Sequence, residues 1–457
     1  MIPTDNLHKK FMNDSPNSNE IHQLIPKEVR VPFIILSSCF LWWGLANNMT
    51  DPLVRTFIGI FDGLTTFQAS MIQFAFYGAY FSLAIPGAIL ARKYGHKRGI
   101  LVGLGLYAIG CFLLIPASLT QQFFPFLLAF YVLASGLSIL ETNTSPYVLV
   151  LGPEETATQR LNLAGSFNAV GSVIGTLLAQ KLILTKLETI REETVANTEQ
   201  ELQALQVQEL AIVIAPYLIV GVILIAVWIW IALTKMPHVV ESDHRVHLKR
   251  LFKNSNYVFA VIAQFFYVGA QITVWTYTIF YIPDQLGLSD SEALQNYHLP
   301  ALIIFGIFRF LSTAVMKRIQ PDKLLTFMAF WGVILSLVVV LVGGQIGAYA
   351  LVGISACMSL MFPTIFGLGS RGLGADTKIS GSGMIMAILG GAIITPLQGW
   401  VIDISTVSLS YIVPMVCFVV IAAYAIYAGK AKLPDAHVKV AIEESQLTKH
   451  HGHGPSQ

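Results

Sequence analysis

Residues 99–153 read GILVGLGLYAIGCFLLIPASLTQQFFPFLLAFYVLASGLSILETNTSPYVLVLGP, a stretch of 55 residues with one charged side chain, Glu141. No globular core hides a run that long, whereas membrane crossings account for it, because a hydrocarbon layer ~30 Å thick takes about 20 helical residues to span. A second stretch, Leu324 to Ser370, runs 47 residues with no charge at all. Across the 457 residues, 54% are hydrophobic and 12% charged, against roughly 45–50% and 25% in soluble domains. This composition defines an all-α polytopic membrane protein and excludes a soluble enzyme. The net formal charge of +2 is carried by lysines and arginines in short connections rather than on one face, so nothing points to a nucleic-acid partner.

Working outward from residues 99–153, twelve apolar segments are long enough to cross. They are 31–58, 65–91, 99–118, 123–151, 160–186, 209–234, 256–283, 294–316, 324–343, 345–370, 379–402 and 407–429. Basic residues collect in alternate connections: Arg92, Lys93, Lys97 and Arg98; Arg160; Lys235, Arg245, Lys249, Arg250 and Lys253; Lys317, Arg318 and Lys323; Arg371 and Lys378. Lys and Arg resist translocation, which puts these connections and both termini on the cytoplasmic side. Lys186 and Arg191 fall on the other side, in an acidic stretch that also contains Glu188, Glu192, Glu193, Glu199, Glu201 and Glu209. The first 26 residues carry no apolar core behind a basic start, so span one is expected to act as its own insertion signal. The four cysteines lie in apolar runs without ligand spacing and read as small hydrophobes.

The longest cytoplasmic connection follows span six and divides the chain. The expected layout is a tail at 1–30, a six-helix bundle at 31–235, a linker at 236–255, a second six-helix bundle at 256–430 and a tail at 431–457. A weak internal repeat supports it, since Pro146 and Leu151-Gly152 of span four recur at the same spacing as Pro363 and Leu368-Gly369 of span ten. Two related halves with a site between them suit alternating access.

Ionisable groups are costly inside a membrane, about 2.5–3.5 kcal/mol on insertion scales, and are functional by default. Glu141 lies near mid-membrane and Asp51 nearer the outer half of span one, both in otherwise apolar surroundings. A carboxyl able to be neutral or charged at such depth is a candidate proton carrier, and a hydrogen-bonded structural acid is the competing reading. Asp51 precedes Pro52, which favours a local break in the helix. Around it, Asn47, Asn48 and Thr50 supply polar groups, and Trp42 and Trp43 supply aromatic faces. A sugar needs that mixture, because its hydroxyls require convergent donors and acceptors and its C–H faces stack on rings. Thr142, Asn143, Thr144 and Ser145 of span four, with Arg160, Asn162 and Asn168 of span five, extend the polar set. In span seven, Gln264, Tyr267 and Gln271 share one helical face, accompanied by Trp275 and Tyr277. For these amides, helix-to-helix bonding competes evenly with cavity lining. Arg309 and Arg55 read as balancing charges or as snorkelling side chains. The histidines at 450, 451 and 453 sit in a polar tail and suggest no metal site.

The motifs FLWWGLANNMTD (40–51), FQASMIQFAFYGAYF (67–81), LETNTSPYVLVLGPE (140–154), RLNLAGSFNAVG (160–171), AQFFYVGAQ (263–271) and FPTIFGLG (362–369) together resemble the fucose/glucose/galactose permease family of the major facilitator superfamily. The resemblance implies twelve transmembrane helices in two six-helix bundles. It also implies proton-coupled sugar uptake in a cell inner membrane, by a monomer driven by the proton gradient with no cofactor. It matches Asp51 and Glu141 to the family's essential acids and Asn48 and Asn168 to positions near the sugar. Trp43, Asn143, Gln264, Tyr267, Gln271 and Phe362 complete the expected binding set. Two departures bear on the substrate: Gly165 and Phe362 stand where the family's L-fucose transporters carry Gln and Tyr. A lost hydrogen-bonding partner is worth on the order of 1–3 kcal/mol, so L-fucose is the first expectation and glucose, galactose or N-acetylglucosamine the next. A uniporter, a drug:proton exporter and a sensor are rival readings. No HExxH, GxSxG or GxxxxGK[ST] motif supports an intramembrane enzyme, and no selectivity filter supports a channel.

Overall fold

The computed structural model describes residues 25, 29–151, 157–194, 198–236, 253–316, 318–371, 373 and 383–430. The expected tails at 1–30 and 431–457, most of the linker at 236–255 and the three histidines near the C-terminus lie outside them, or largely so. Twelve helical spans are present in two bundles. Eleven meet the length and composition for crossing a membrane, and span eight is a 17-residue helix, Leu299–Val315, extended by a π-helical turn, Leu294–His298.

Span one is Arg30–Thr50 followed by Leu53–Ile60. Pro52 interrupts the amide ladder between them, while Asp51 and Pro52 keep right-handed backbone angles, so the axis is kinked rather than reversed. Spans two to four are Met71–Tyr94, led in by the short helix Thr66–Ala69, then His96–Leu119 and Phe123–Val150. Span five is Ala157–Leu178, a π-helical turn Ala179–Leu184 and Thr185–Glu193. Span six is Glu199–Leu233, 35 residues long. The acidic segment expected as a loop between these two spans is therefore mostly helix. Its start is fixed by a Thr198/Glu201 capping box, and Arg191 pairs with Glu209 at 2.5 Å, which offsets the charge.

The second bundle contains Ser255–Leu286 as span seven, then span eight, Pro321–Leu341 as span nine, and span ten as Gly344–Met358 and Met361–Gly369. Spans eleven and twelve are Leu389–Ile404 and Ile412–Lys430, the latter preceded by Val407–Ser410. Span seven ends at Gly287, whose left-handed φ of 67° stops the helix.

The packing repeats between bundles. Span one lies on five, two on four, three on four and three on six; seven lies on eleven, eight on ten, nine on ten and nine on twelve. The bundles meet where span two touches eleven and span five touches eight, contacts that exchange under the same six-span shift. Small residues set the tightest crossings, as lipid supplies no hydrophobic drive between helices. A Cβ on Gly171 would overlap the Leu41 carbonyl, and one on Gly390 would overlap the Phe265 carbonyl.

Candidate functional site

Glu141 sits inside the first bundle in a cavity lined by Cys39, Phe40, Trp43, Leu140 and Thr144. Its Oε2 is buried and has no hydrogen-bond partner among the described residues, and the Tyr80 side chain lies within its electrostatic reach. Spans one and four bring Trp43 and Glu141 together, whereas the sequence had grouped Trp43 with the polar turn at Asp51. Asn168 stands beside the same cavity, its Nδ2 donating to the Phe40 carbonyl at 3.4 Å.

Asp51 occupies a different place. It is 2% exposed, neither facing water at a span end nor lining the Glu141 cavity. Gln73 Nε2 of span two donates to its Oδ1 at 3.3 Å and also to Thr276 Oγ1 of span seven at 3.2 Å. This pair of bonds crosses between the bundles. Asn48 is buried and donates to the Gly44 carbonyl of its own helix at 3.0 Å, leaving its Oδ1 without a partner among the described residues.

Asn143, expected at the cavity, is turned into helix packing instead. It is fully buried, with Nδ2 donating to Gly87 of span two at 3.3 Å and to Ile139 at 2.8 Å, and its side chain fills the space beside Gly99 of span three. Two residues on from Glu141 it points about 200° round the helix, which is why both cannot face one cavity. In the second bundle, Tyr267 is buried and donates to the Met358 carbonyl at 3.2 Å, and the Phe362 ring stands edge-on to it at 6.1 Å. Gln271 is half-buried one turn further along. Gln264 is fully buried with neither amide atom partnered among the described residues. Arg309 lies within electrostatic reach of Tyr267. The side chains of Arg160 and Asn162 fall outside the described set.

The bundles are bonded together at the face opposite the basic connections. Arg55 Nε meets Asp290 Oδ1 at 3.3 Å, and its guanidinium lies over the Phe280 ring at 5.3 Å. Asp403 of span eleven accepts from the Thr66 and Phe67 amides, each at 2.8 Å. Glu188 accepts from the Ser291 amide at 2.7 Å, and Gln180 donates to Gln295 at 3.0 Å. Sequence reasoning missed this network. Gln73 and Gln180 carried a signal, as amides inside apolar spans two and five, whereas Asp290 and Asp403 looked like ordinary acids at span ends.

A two-bundle membrane carrier with an acid in its interior is the class that fold and site define. Over residues 33–396 the chain matches the Major Facilitator Superfamily. It is 40% identical over 425 residues to the L-fucose-proton symporter of Haemophilus influenzae, covering 89% of this chain and 99% of that protein. It is 33% identical over 427 residues to the glucose/galactose transporter of Brucella abortus, covering 91% and 99%. The crystal structure of the Major Facilitator Superfamily transporter FucP in the outward conformation is similar with a TM-score of 0.67 at 37% identity, covering 89% of this chain and all of that one, 100%. The chain belongs to the Major Facilitator Superfamily, within its fucose/glucose/galactose permease family, and is a transporter, not an enzyme.

Proposed function

We propose that this chain is a proton-coupled sugar symporter of a cell inner membrane, with both termini cytoplasmic, that takes up L-fucose or a related hexose by alternating access. The observation that carries it is Glu141, a carboxyl with an unpartnered buried oxygen, set against Trp43 in a cavity. A membrane-buried acid without a counter-charge is tolerable chiefly when neutral. Proton binding there and sugar stacking on the adjacent indole would then share one site once the helices part, since the cavity as it stands, about 10 Å³, has room for a water and not for a hexose. Asp51 is the second proton-coupling acid. Trp43, Asn168, Gln271 and Phe362 face or flank the route the sugar would take, with Asn48, Gln264 and Tyr267 supporting them, and no cofactor takes part. In this orientation the bonded face is the outer one. An outside-closed carrier complements the outward conformation named for FucP, and the names of the relatives support the substrate class.

The test is uptake of labelled L-fucose, galactose, glucose and N-acetylglucosamine into proteoliposomes, with and without an inward proton gradient, for the native protein and Glu141→Gln. Gradient-driven accumulation of one sugar, lost in the variant while exchange survives, is the expected result. Uptake that equilibrates regardless of the gradient overturns symport, and absence of any sugar flux overturns the substrate class. A second reading, a hexose other than L-fucose, is favoured by Gly165, where a Cβ would meet no atom within 4 Å. Open space replaces the amide that the L-fucose transporters of the family carry there.

A further inference from the structure

Gln73 is fully buried in span two, Thr276 fully buried in span seven, and Asp51 2% exposed in span one. The Gln73 Nε2 group has two hydrogens, and both are used: one to Asp51 at 3.3 Å and one to Thr276 at 3.2 Å. The other end of the amide, Oε1, is buried and without a partner among the described residues. A buried amide acceptor left bare is costly, and a bare acceptor beside a carboxyl is a place where a protonated carboxyl can donate. Turning the amide over would let Oε1 accept from the Asp51 and Thr276 hydroxyls but would leave the Nε2 hydrogens buried where no acceptor is described, so the arrangement with Nε2 donating is the better satisfied one. With Nε2 donating to Asp51 and Thr276, a neutral Asp51 whose hydroxyl donates to Oε1 completes the hydrogen bonding of the bridge. An ionised Asp51 leaves a charge sealed from water behind a single long bond, which the closed interface compensates poorly.

We propose that Gln73 is the positioning residue that links the proton on Asp51 to closure of the outer face, by tying that carboxyl to Thr276 of span seven. The bridge is the only polar tie described between the acid and the opposite bundle, and it exists only when spans one, two and seven are together. Loading Asp51 with a proton favours the bridged, closed arrangement, and losing it favours separation. The inference rests on Asp51 acting as a proton-coupling acid. Other titratable groups face the same region: Tyr77 and Tyr217 stand within electrostatic reach of Asp51, and Asp290, Glu188, Asp403 and Arg55 lie along the outer contact. The test must therefore separate Asp51 from them.

Spin labels at Asp62 and Asp284, both exposed and on opposite bundles, report the outer separation by pulsed electron resonance as pH is varied in the full-length protein. In the native chain the short-distance population is expected to grow as pH falls, and in Asp51→Asn to be high and much less dependent on pH. Gln73→Leu and Thr276→Val are each expected to cut the pH-driven change in that population roughly fivefold, the weight of one hydrogen bond, while Thr276→Ser, which keeps the hydroxyl, retains it. The Thr276 pair leaves Gln73 in place, so the proposal stays testable if Gln73→Leu does not fold. A pH response lost in Asp51→Asn but unchanged in Thr276→Val overturns the role of Gln73 alone. A response unchanged in Asp51→Asn, together with intact proton-driven accumulation, overturns the reading of Asp51 on which it stands.

Discussion

Arg55 and Asp290 are 235 positions apart in the chain and 3.3 Å apart in space, an ion pair that spans the two bundles at one face of the membrane. Burial outweighs the Arg55 guanidinium and raises the Asp290 carboxyl above its ordinary range. A carboxyl raised in the closed state binds its proton more tightly there than when exposed. Its contribution to closure is therefore full below its ordinary value and lost as pH rises through the closed-state value. At neutral pH, Arg55→Met leaves the carboxylate unpaired and removes the contact over Phe280. It is expected to favour opening by about 1–2 kcal/mol. Asp290→Asn keeps a hydrogen-bonding group and is expected to close at least as well as the native chain, with a flatter pH response. Distances between labels on the two bundles, measured across pH, check both.

Asp403 holds two backbone amides of the opposite bundle, those of Thr66 and Phe67. Asp403→Ala removes both acceptors at once, and closure is expected to weaken by about 1–2 kcal/mol. Asp403→Asn retains one carbonyl acceptor and is expected to lose about half of that. Ser70 is fully buried under this contact, so labelling of Ser70→Cys by a membrane-impermeant maleimide, in a chain stripped of its four buried cysteines, reports the opening. Equal labelling rates with and without Asp403 would show that the cap is incidental.

Gly171 meets the Leu41 backbone, whereas Gly165, on the same helix, has nothing within 4 Å. Gly171→Ala is expected to destabilise by about 1–3 kcal/mol because backbone cannot yield as a flexible side chain does. Gly165→Ala is expected to leave stability nearly unchanged. Thermal melting of the two detergent-purified variants makes the comparison.

Gly165→Gln restores the amide found in the L-fucose transporters of the family and has room to enter. If the missing amide governs hydroxyl recognition, this change shifts the preference between L-fucose and other hexoses by roughly ten- to a hundredfold. Competition of unlabelled sugars against the native substrate reads the shift, and an unaltered ranking would remove Gly165 from the specificity determinants.

Much of the architecture was legible before any coordinates, because hydropathy is a local property summed over about 20 residues and loop charge is local too. The twelve spans, the break at Asp51-Pro52 and the prominence of Glu141 belong to that category. Trp43 was legible as a ring suited to stacking a sugar, but the sequence grouped it with the polar turn at Asp51, and only the packing of spans one and four sets it beside Glu141. Asn143 shows the limit: it shares a polar tetrapeptide with Thr144, yet helical rotation sends it between spans two, three and four, where it acts as packing.

Arg55 read equally well as a snorkelling side chain, and Asp403 as a span-end acid. Only tertiary structure turned them into ties between bundles, since an ion pair or a cap depends on where a residue hundreds of positions away comes to lie. The sequence by itself determined that this chain spans a membrane twelve times and carries acids in its interior, because each follows from the cost of moving side chains out of water. The tertiary structure decided which acid stands alone in a cavity, which one is bridged through Gln73 to Thr276, and which face is bonded shut. Those are properties of the distance between helices, and no local pattern encodes them.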